Sequence, residues 1–460
     1  MLRPHIVILG AGFGGTYVAK KLLPAVSKGK IDVTVVNKTN YFLFTPLLHE
    51  VATGALSPAS SAEPLREIFK GSGIRLCQGV VESVNAANRR VHIRGAASDA
   101  GKHTLEYDYL VIATGAEANY YGIPGAEQFT LPLKSLADAA RIRSKVIDAF
   151  EEAVLCEDLE ERLRRLSFAV IGCGPTGVEV AAELAELVRG MARRYYDCTN
   201  CLPDVCGSAQ SARKGNLRGS CRPEEPTIGI VDGAPELLAQ FPPKLRAAAA
   251  RRLLKHGVNL HLGSKVTAVT PKGVVLANNS TVPAATVIWA AGVKPAMPVF
   301  EGDMPELVNG RLAVDEFFHA GGNDRVFALG DIAAYDAVSI TAVSSVAPRM
   351  KDGPIQPSRP VPMLAQAAVQ EAKIVAGNII ASINQKKLKS FKYRPKGALV
   401  SVGQWFAVGE IFGLQLSGNL AWWLWRTVYL FKFASWKKRI HIAFEWTVNL
   451  FYTRDITKLS

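Results

Sequence analysis

Short apolar runs that stop on glycine punctuate this chain. His5–Leu9 (HIVIL) leads into Gly10-Ala11-Gly12-Phe13-Gly14-Gly15, then a helical pattern over Thr16–Leu23 and a β-branched run, Ile31–Val36. Continuous apolar strands of this length suit a parallel sheet covered on both faces. Strand, glycine turn, helix, strand is the grammar of a Rossmann half. It returns as Phe168–Ile171, Gly172-Cys173-Gly174-Pro175-Thr176-Gly177, the helical Val178–Val188 and the strand Thr227–Val231. The repeat predicts an α/β chain with two dinucleotide-binding domains.

Other apolar runs extend the pattern. Tyr109–Thr114 ends on Ala113-Thr114-Gly115, Thr286–Gly292 reads TVIWAAG, and Arg325–Asp331 stops on Gly330-Asp331. Charged helical stretches fill Ser135–Leu166, and Val343–Pro362 reads as a Pro- and Ser-rich loop. Met363–Ile380 predicts a helix with Pro362 in its first turn. The expected organisation is a discontinuous first domain, residues 1–130 with 301–380. A second domain spans 131–300 with an insertion near 190–226, and a separate basic region covers 381–460.

The 460 residues, 48% hydrophobic and 20% charged, exclude a disordered or collagen-like chain. Of the net charge of +14, ten units fall in residues 386–460, which hold 13 Lys and Arg against 3 Asp and Glu. Seven cysteines do not form an oxidised framework, so a reducing cytosol is expected. Leu2–Leu9 runs into the glycine loop without a cleavable apolar core, so no signal peptide is expected. No uninterrupted run of about 20 apolar residues predicts a spanning helix.

Five of the seven tryptophans lie in Trp422–Trp446, with Arg426 and Lys432 interrupting the apolar run. Lys437, His441, Glu445 and Asn449 recur every four residues, a narrow polar stripe on an otherwise apolar helix. This pattern predicts a monotopic region lying in the interface of an anionic lipid surface, on the cytoplasmic face of the inner (cell) membrane. A core helix pair and a homodimer interface are the competing readings. No module accompanies the charge that would read nucleic acid. Cys198, Cys201, Cys206 and Cys221 fit either four zinc thiolates or a plain surface insertion; the plain insertion is the expectation, with no metal in the site.

The glycine loops need partners. Glycines supply the tight turn and let backbone approach a pyrophosphate, while the helix behind offers unpaired N–H groups. The residue closing the second strand holds a ribose: Asn37 for the first loop and Asp232 for the second. A carboxylate at 232 accepts from a 2′-OH and repels a 2′-phosphate, which favours NADH over NADPH. The alternative is that Asp232 only starts a turn before Gly233.

The chain resembles the type II NADH:quinone oxidoreductases, flavoproteins with two dinucleotide domains. The resemblance is carried by Gly10–Gly15, Thr45–Gly54 (TPLLHEVATG), Ala113–Gly115, Gly122–Gly125 (GIPG), Gly172–Leu184 (GCGPTGVEVAAEL), Trp289–Pro295 (WAAGVKP), Ala328–Asp331 (ALGD) and Ala365–Gln370 (AQAAVQ). It implies FAD in the first domain and NADH as donor in the second. By that resemblance Gly10, Gly12, Phe13, Gly14 and Gly15 meet the FAD pyrophosphate, Asn37 and Lys38 the adenosine ribose, and Val81 the adenine. Ala113, Thr114 and Gly115 line the cofactor, with Gly330 and Asp331 at the ribityl or phosphate. Gly172, Gly174, Thr176 and Gly177 cradle the NADH phosphates, and Glu179 and Gly292 approach the nicotinamide. Gln366 and Gln370 match the quinone motif.

The expected reaction is hydride transfer from NADH to FAD, then two electrons to a membrane quinone without proton pumping. Ala365 and Gln366, in the first turn of their helix, would aim N–H groups at the reduced flavin. Gln366 and Gln370 share a helix face and could offer amides to quinone oxygens; two solvated glutamines are the alternative. Tyr41–Gly54 contains no cysteine, which excludes a disulfide reductase, and Cys156 and Cys173 belong to no sulfide-oxidising motif. A reductase of a biosynthetic naphthoquinone and a membrane-tethered NADH sensor with little turnover are the rival functions.

Overall fold

The computed structural model of the chain describes residues 3–95, 101–196, 226–335, 361–433, 435–452 and 454–458. The four insertion cysteines and most of the Val343–Pro362 loop lie outside these residues. The chain divides into two compact units. The first comprises Met1–Leu43, Ala62–Glu117 and Val293–Pro395; the second comprises Phe44–Ser61, Ala118–Gly292 and Lys396–Ser460. The changeovers therefore fall at 117/118 and 292/293 instead of the expected 130/131 and 300/301. Phe44–Ser61 and the C-terminal region cluster with the second unit, because their packing partners are there.

In the first unit, five strands run parallel in the order Asn323–Ala328, Tyr109–Ile112, His5–Leu9, Asp32–Asn37, Arg75–Asn85. His5–Leu9 pairs on both sides, so Ile6, Val7, Ile8 and Leu9 are all fully buried. That is the physical reason for an unbroken apolar run. Arg75–Asn85 also pairs antiparallel with Arg90–Gly95, with a register shift between Val81 and Ser83. The helices Phe13–Ser27 and Ala365–Ile383 pack together. Pro362 precedes the second of these helices rather than entering its first turn, since Leu364 is the N-cap.

The second unit repeats the plan. Five parallel strands run in the order Leu131–Pro132, Thr286–Trp289, Ser167–Ile171, Thr227–Val231, Val258–His261. Pro175–Arg194 is the helix after the glycine turn, with Pro175 at its start, where a missing N–H costs nothing. The sequence reading did not anticipate the antiparallel sheet Ala398–Ser401, Ala407–Ile411, Leu414–Gly418. Its tighter turn, Phe412-Gly413, has both residues at positive φ, the two-residue hairpin geometry. Gly413 was the available signal. Helices Asn419–Leu430 and Trp436–Phe451 follow.

Candidate functional site

Both glycine turns are built alike. Gly10 has φ +94°, and a Cβ there would sit 2.3 Å from the Ala113 carbonyl oxygen; one on Gly15 would sit 1.8 Å from that of Gly10. In the second unit Gly172 (φ +116°) crowds Ala290, and a Cβ on Gly177 would sit 1.9 Å from the Gly172 oxygen. These four glycines are demanded by backbone packing. Gly12 and Gly174 differ, because a Cβ at either meets nothing within 4 Å. Each is the N-cap of its helix, without a side-chain cap bond and with no acidic residue in the first turn. Open space in front of uncapped N–H groups is the physical requirement for an anion.

The strand-end partners meet the same atom in the two turns. The Asn37 Oδ1 accepts the Ala11 N–H at 2.9 Å, and the Asp232 Oδ2 accepts the Cys173 N–H at 2.7 Å. Asp232 Oδ1 also accepts the Ala234 N–H at 2.7 Å, so the turn-starting geometry exists beside any ribose role. Asn37 Nδ2 donates to Thr39, and Lys38 is exposed. Burial, then Asp232, pushes the Cys173 thiol up to about 12, which makes it an inert residue of the turn.

Val81 is half-buried beside the register shift. At the Ala113-Thr114-Gly115 turn, the Thr114 hydroxyl is buried without a hydrogen-bond partner among the described residues. An orphaned hydroxyl beside the first open glycine turn fits a polar ligand there. Gly14 packs near Leu329, leaving Phe13 to stack edge-on against Phe42. The Gly330-Asp331 turn is held by a residue the sequence reading missed. The Glu371 carboxylate accepts the Gly330 N–H at 2.7 Å, and burial raises its pKa to about 7.

Ala365 does open its helix, and Gln366 lies in the first turn. Gln370 departs from expectation. Its amide donates to the Arg394 carbonyl at 3.0 Å and accepts the Arg394 N–H at 3.2 Å, so it secures backbone instead of offering its amide outward. In the second unit Thr176 is exposed, and a Cβ on Gly292 (φ +135°) would strike the Tyr121 hydroxyl. Glu179 is buried: Ser401 donates its N–H at 3.3 Å, and His49 Nδ1 stands 3.6 Å away. Burial holds the Glu179 carboxyl well above its ordinary range and lowers His49 to about 4. Burial thus works against charge on both partners of the contact.

Around this pair lies a buried charge cluster that sequence reasoning did not identify. Arg454 pairs with Glu183 at 2.5 Å and Glu186 at 2.9 Å, and Glu50 accepts the Trp446 indole N–H at 2.7 Å. Arg426 is also inside, its guanidinium 3.8 Å from the Trp422 ring and 4.9 Å from that of Trp446. The only signal was spacing: Glu179, Glu183 and Glu186 recur on one helix face within an otherwise apolar pattern.

The C-terminal helices correct a further expectation. The polar stripe divides: Lys437 and His441 are exposed, whereas Glu445 accepts from Ser60 and Asn449 donates to the Ala55 carbonyl at 2.5 Å. Trp422, Trp425 and Trp446 are buried as well. An apolar row is left to solvent beside Lys437 and His441: Trp436, Ile440, Phe444 and Phe451 are each at least 60% exposed, as is Leu420 on the preceding helix. Glu445 and Asn449 found hydrogen-bond partners within the unit, so the C-terminal half of the stripe turns inward. No described helix is long and apolar enough to cross a membrane. The described residues hold no metal-binding cluster.

Comparison with known proteins agrees with this architecture. Residues 4–372 match the family described as pyridine nucleotide-disulphide oxidoreductase, and residues 396–455 match the NDH2 C-terminal domain. The chain is 31% identical to the type II NADH:quinone oxidoreductase Ndh of Mycobacterium tuberculosis, over 98% of this chain and 89% of that protein. It is 27% identical to the external alternative NAD(P)H-ubiquinone oxidoreductase B2, mitochondrial, of Arabidopsis thaliana, over 99% and 90%. The fold is similar to that of NDH2 from Plasmodium falciparum solved with NADH, at TM-score 0.83 and 24% identity over 99% of this chain and 100% of that one. The sulfide:quinone oxidoreductase of Aquifex aeolicus shares it at 0.65 and 19% identity, over 98% and 96%.

Proposed function

Because the chain belongs to the type II NADH:quinone oxidoreductases, we propose that it binds FAD in the first unit, takes its electrons from NADH in the second and reduces a quinone at a membrane surface without pumping protons. The observation that carries this reading is the duplicated turn, each with three glycine positions and a side-chain oxygen on the following N–H. When bound, the flavin accepts a hydride from NADH and passes two electrons to the quinone.

On this reading Gly10, Gly12, Phe13, Gly14 and Gly15 form the pyrophosphate cradle, and Gly12 is the position whose missing side chain leaves room for it. Asn37 and Lys38 take the ribose, with Val81 at the adenine. Ala113, Thr114 and Gly115 line the cofactor, and the Thr114 hydroxyl gains its missing partner. Glu371 holds Gly330-Asp331 in place for the ribityl chain. Ala365 and Gln366 open a helix whose N-cap, Leu364, makes no side-chain cap bond, and that helix end favours negative charge on the reduced cofactor. Gln370 shapes the quinone wall by pinning Arg394, while Gln366 supplies the amide.

In the second unit Gly172, Gly174, Thr176 and Gly177 cradle the NADH phosphates, and Asp232 accepts from the ribose while keeping the Cys173 bond. Gly292 gives close approach to the nicotinamide side. Glu179, whose burial favours the protonated carboxyl, stands at the nicotinamide side with Gly292. The outward apolar row Trp436, Ile440, Phe444 and Phe451 supports attachment in the plane of the bilayer, where an apolar quinone dissolves.

The test is spectroscopic. Purified protein carries FAD absorbance that NADH bleaches without oxygen and a quinone restores. A protein that cannot be loaded with FAD ends this reading. Bleaching that no quinone reverses would favour the NADH sensor instead.

A further inference from the structure

A cavity of about 590 Å³ in the second unit lies away from the glycine turn, at the far end of the Pro175–Arg194 helix. Arg189, Arg193, Arg194, Arg252 and Arg454 line it with His256, and among the described residues Glu186 supplies its one carboxylate. Two of these arginines are engaged. Arg454 is paired with Glu183 and Glu186, and Arg252 donates to the Gln404 carbonyl at 2.6 Å. Arg189, Arg193 and Arg194 have no carboxylate partner among the described residues. The field is strong enough to be felt by His256, whose pKa falls to about 4 through burial first, then Arg252, Arg189 and Lys255. The helix C-terminus favours a cation at 193 and 194. It does not account for arginines converging from the neighbouring helix and the C-terminal segment.

Part of the remaining wall is apolar. Trp405, Leu450 and Phe451 line the cavity, and Phe451 also ends the outward row that begins at Trp436. Positive groups thus sit beside the end of an exposed apolar face, the arrangement that suits an anionic amphiphile. We propose that this cavity takes the phosphate headgroup of an anionic phospholipid, with Arg193 and Arg194 on the phosphate and Trp405 and Phe451 against the first methylenes. The proposal rests on membrane attachment through the outward row, and it adds a specific lipid seat to that attachment.

The test uses the full flavin-loaded chain and two kinds of vesicle, phosphatidylcholine alone and phosphatidylcholine mixed with phosphatidylglycerol. The unmodified protein is expected to sediment with both and to prefer the mixed vesicles. Arg193→Ala with Arg194→Ala weakens binding to the mixed vesicles about 30-fold, roughly 2 kcal/mol, and leaves binding to neutral vesicles unchanged. Gly190→Phe separates a seat from diffuse surface charge. Gly190 lines the cavity with nothing within 4 Å of its Cβ position, so a ring there fills the space and alters no charge. It should remove the same preference, with NADH oxidation by a short-chain quinone unchanged.

A preference that survives Gly190→Phe overturns the proposal and leaves membrane attachment standing. Sedimentation with neither vesicle defeats attachment itself. Inorganic phosphate that abolishes the preference at constant ionic strength makes the ligand a free anion, which also overturns the lipid seat. A Gly190→Phe protein that retains the preference but changes oligomeric state assigns the cavity to a contact between copies.

Discussion

The Asp232 carboxylate accepts the backbone N–H of Cys173 at 2.7 Å, tying the end of one strand to the glycine turn of the next. A charge-assisted bond of this kind contributes about 1.5–3 kcal/mol. Asp232→Ala should loosen the turn, raise the KM for NADH and reduce the NADH over NADPH preference about tenfold. Steady-state rates with both nucleotides decide it; an unaltered preference removes Asp232 from ribose recognition and leaves only its turn.

Gly12 and Gly15 separate binding from folding. A methyl at 15 collides with the Gly10 oxygen, whereas one at 12 enters open space. Gly15→Ala should lower the melting temperature sharply. Gly12→Ala should melt close to the parent as apoprotein yet lose most of its FAD. Flavin absorbance per chain, read beside thermal melting, distinguishes them, and full FAD occupancy in Gly12→Ala would refute the cradle.

Glu371 sets a pH dependence. Its folded pKa of about 7 exceeds its ordinary value of 4.5, so the folded state holds the proton more tightly. Its contribution is complete below about 4.5 and is lost as pH rises through about 7. The shift corresponds to about 3 kcal/mol at most. Glu371→Gln keeps an acceptor for the Gly330 N–H and cannot ionise. Its stability relative to the parent should therefore rise between pH 5 and 8 (roughly the window of the shift), as measured by urea unfolding. A difference independent of pH would mean that Glu371 does not titrate there.

Arg454 is buried against two carboxylates. Arg454→Ala leaves them uncompensated and should destabilise the protein by about 3–5 kcal/mol. Adding Glu183→Gln and Glu186→Gln should recover part of that loss. Denaturant midpoints of the three proteins test this, and additive losses would show that the cluster is not one electrostatic unit.

The outward row predicts where attachment resides. Ile440→Ser with Phe444→Ser removes two exposed apolar side chains, each worth about 1.5–3 kcal/mol when buried in lipid. Partition to neutral vesicles should fall at least tenfold, with stability nearly unchanged. Undiminished partition would place attachment elsewhere.

The parallel cores were legible because local physics dictates them. His5–Leu9 and Thr227–Val231 have the bounds that their apolar pattern predicts, and the turns follow from glycine alone. Asn37 and Asp232 were found by their place after a strand. The hairpin at Phe412-Gly413 escaped notice because its alternation is weak and its strands are short. Glu371 escaped because no motif marks a carboxylate whose partner is a backbone N–H 41 residues away.

Apolar periodicity and the spacing of glycines were enough to establish two Rossmann-like sheets in this chain, since both patterns are local in the sequence. Which side of an amphipathic helix faces inward was not so determined. Lys437, His441, Glu445 and Asn449 look alike as a solvated stripe, yet Lys437 and His441 stay exposed while Ser60 and Ala55 take Glu445 and Asn449 inside. Arg426 resembles a lipid anchor until Trp422 and Trp446 enclose it. A buried polar group is tolerable only with its partner, and only the folded chain brings together partners hundreds of residues apart.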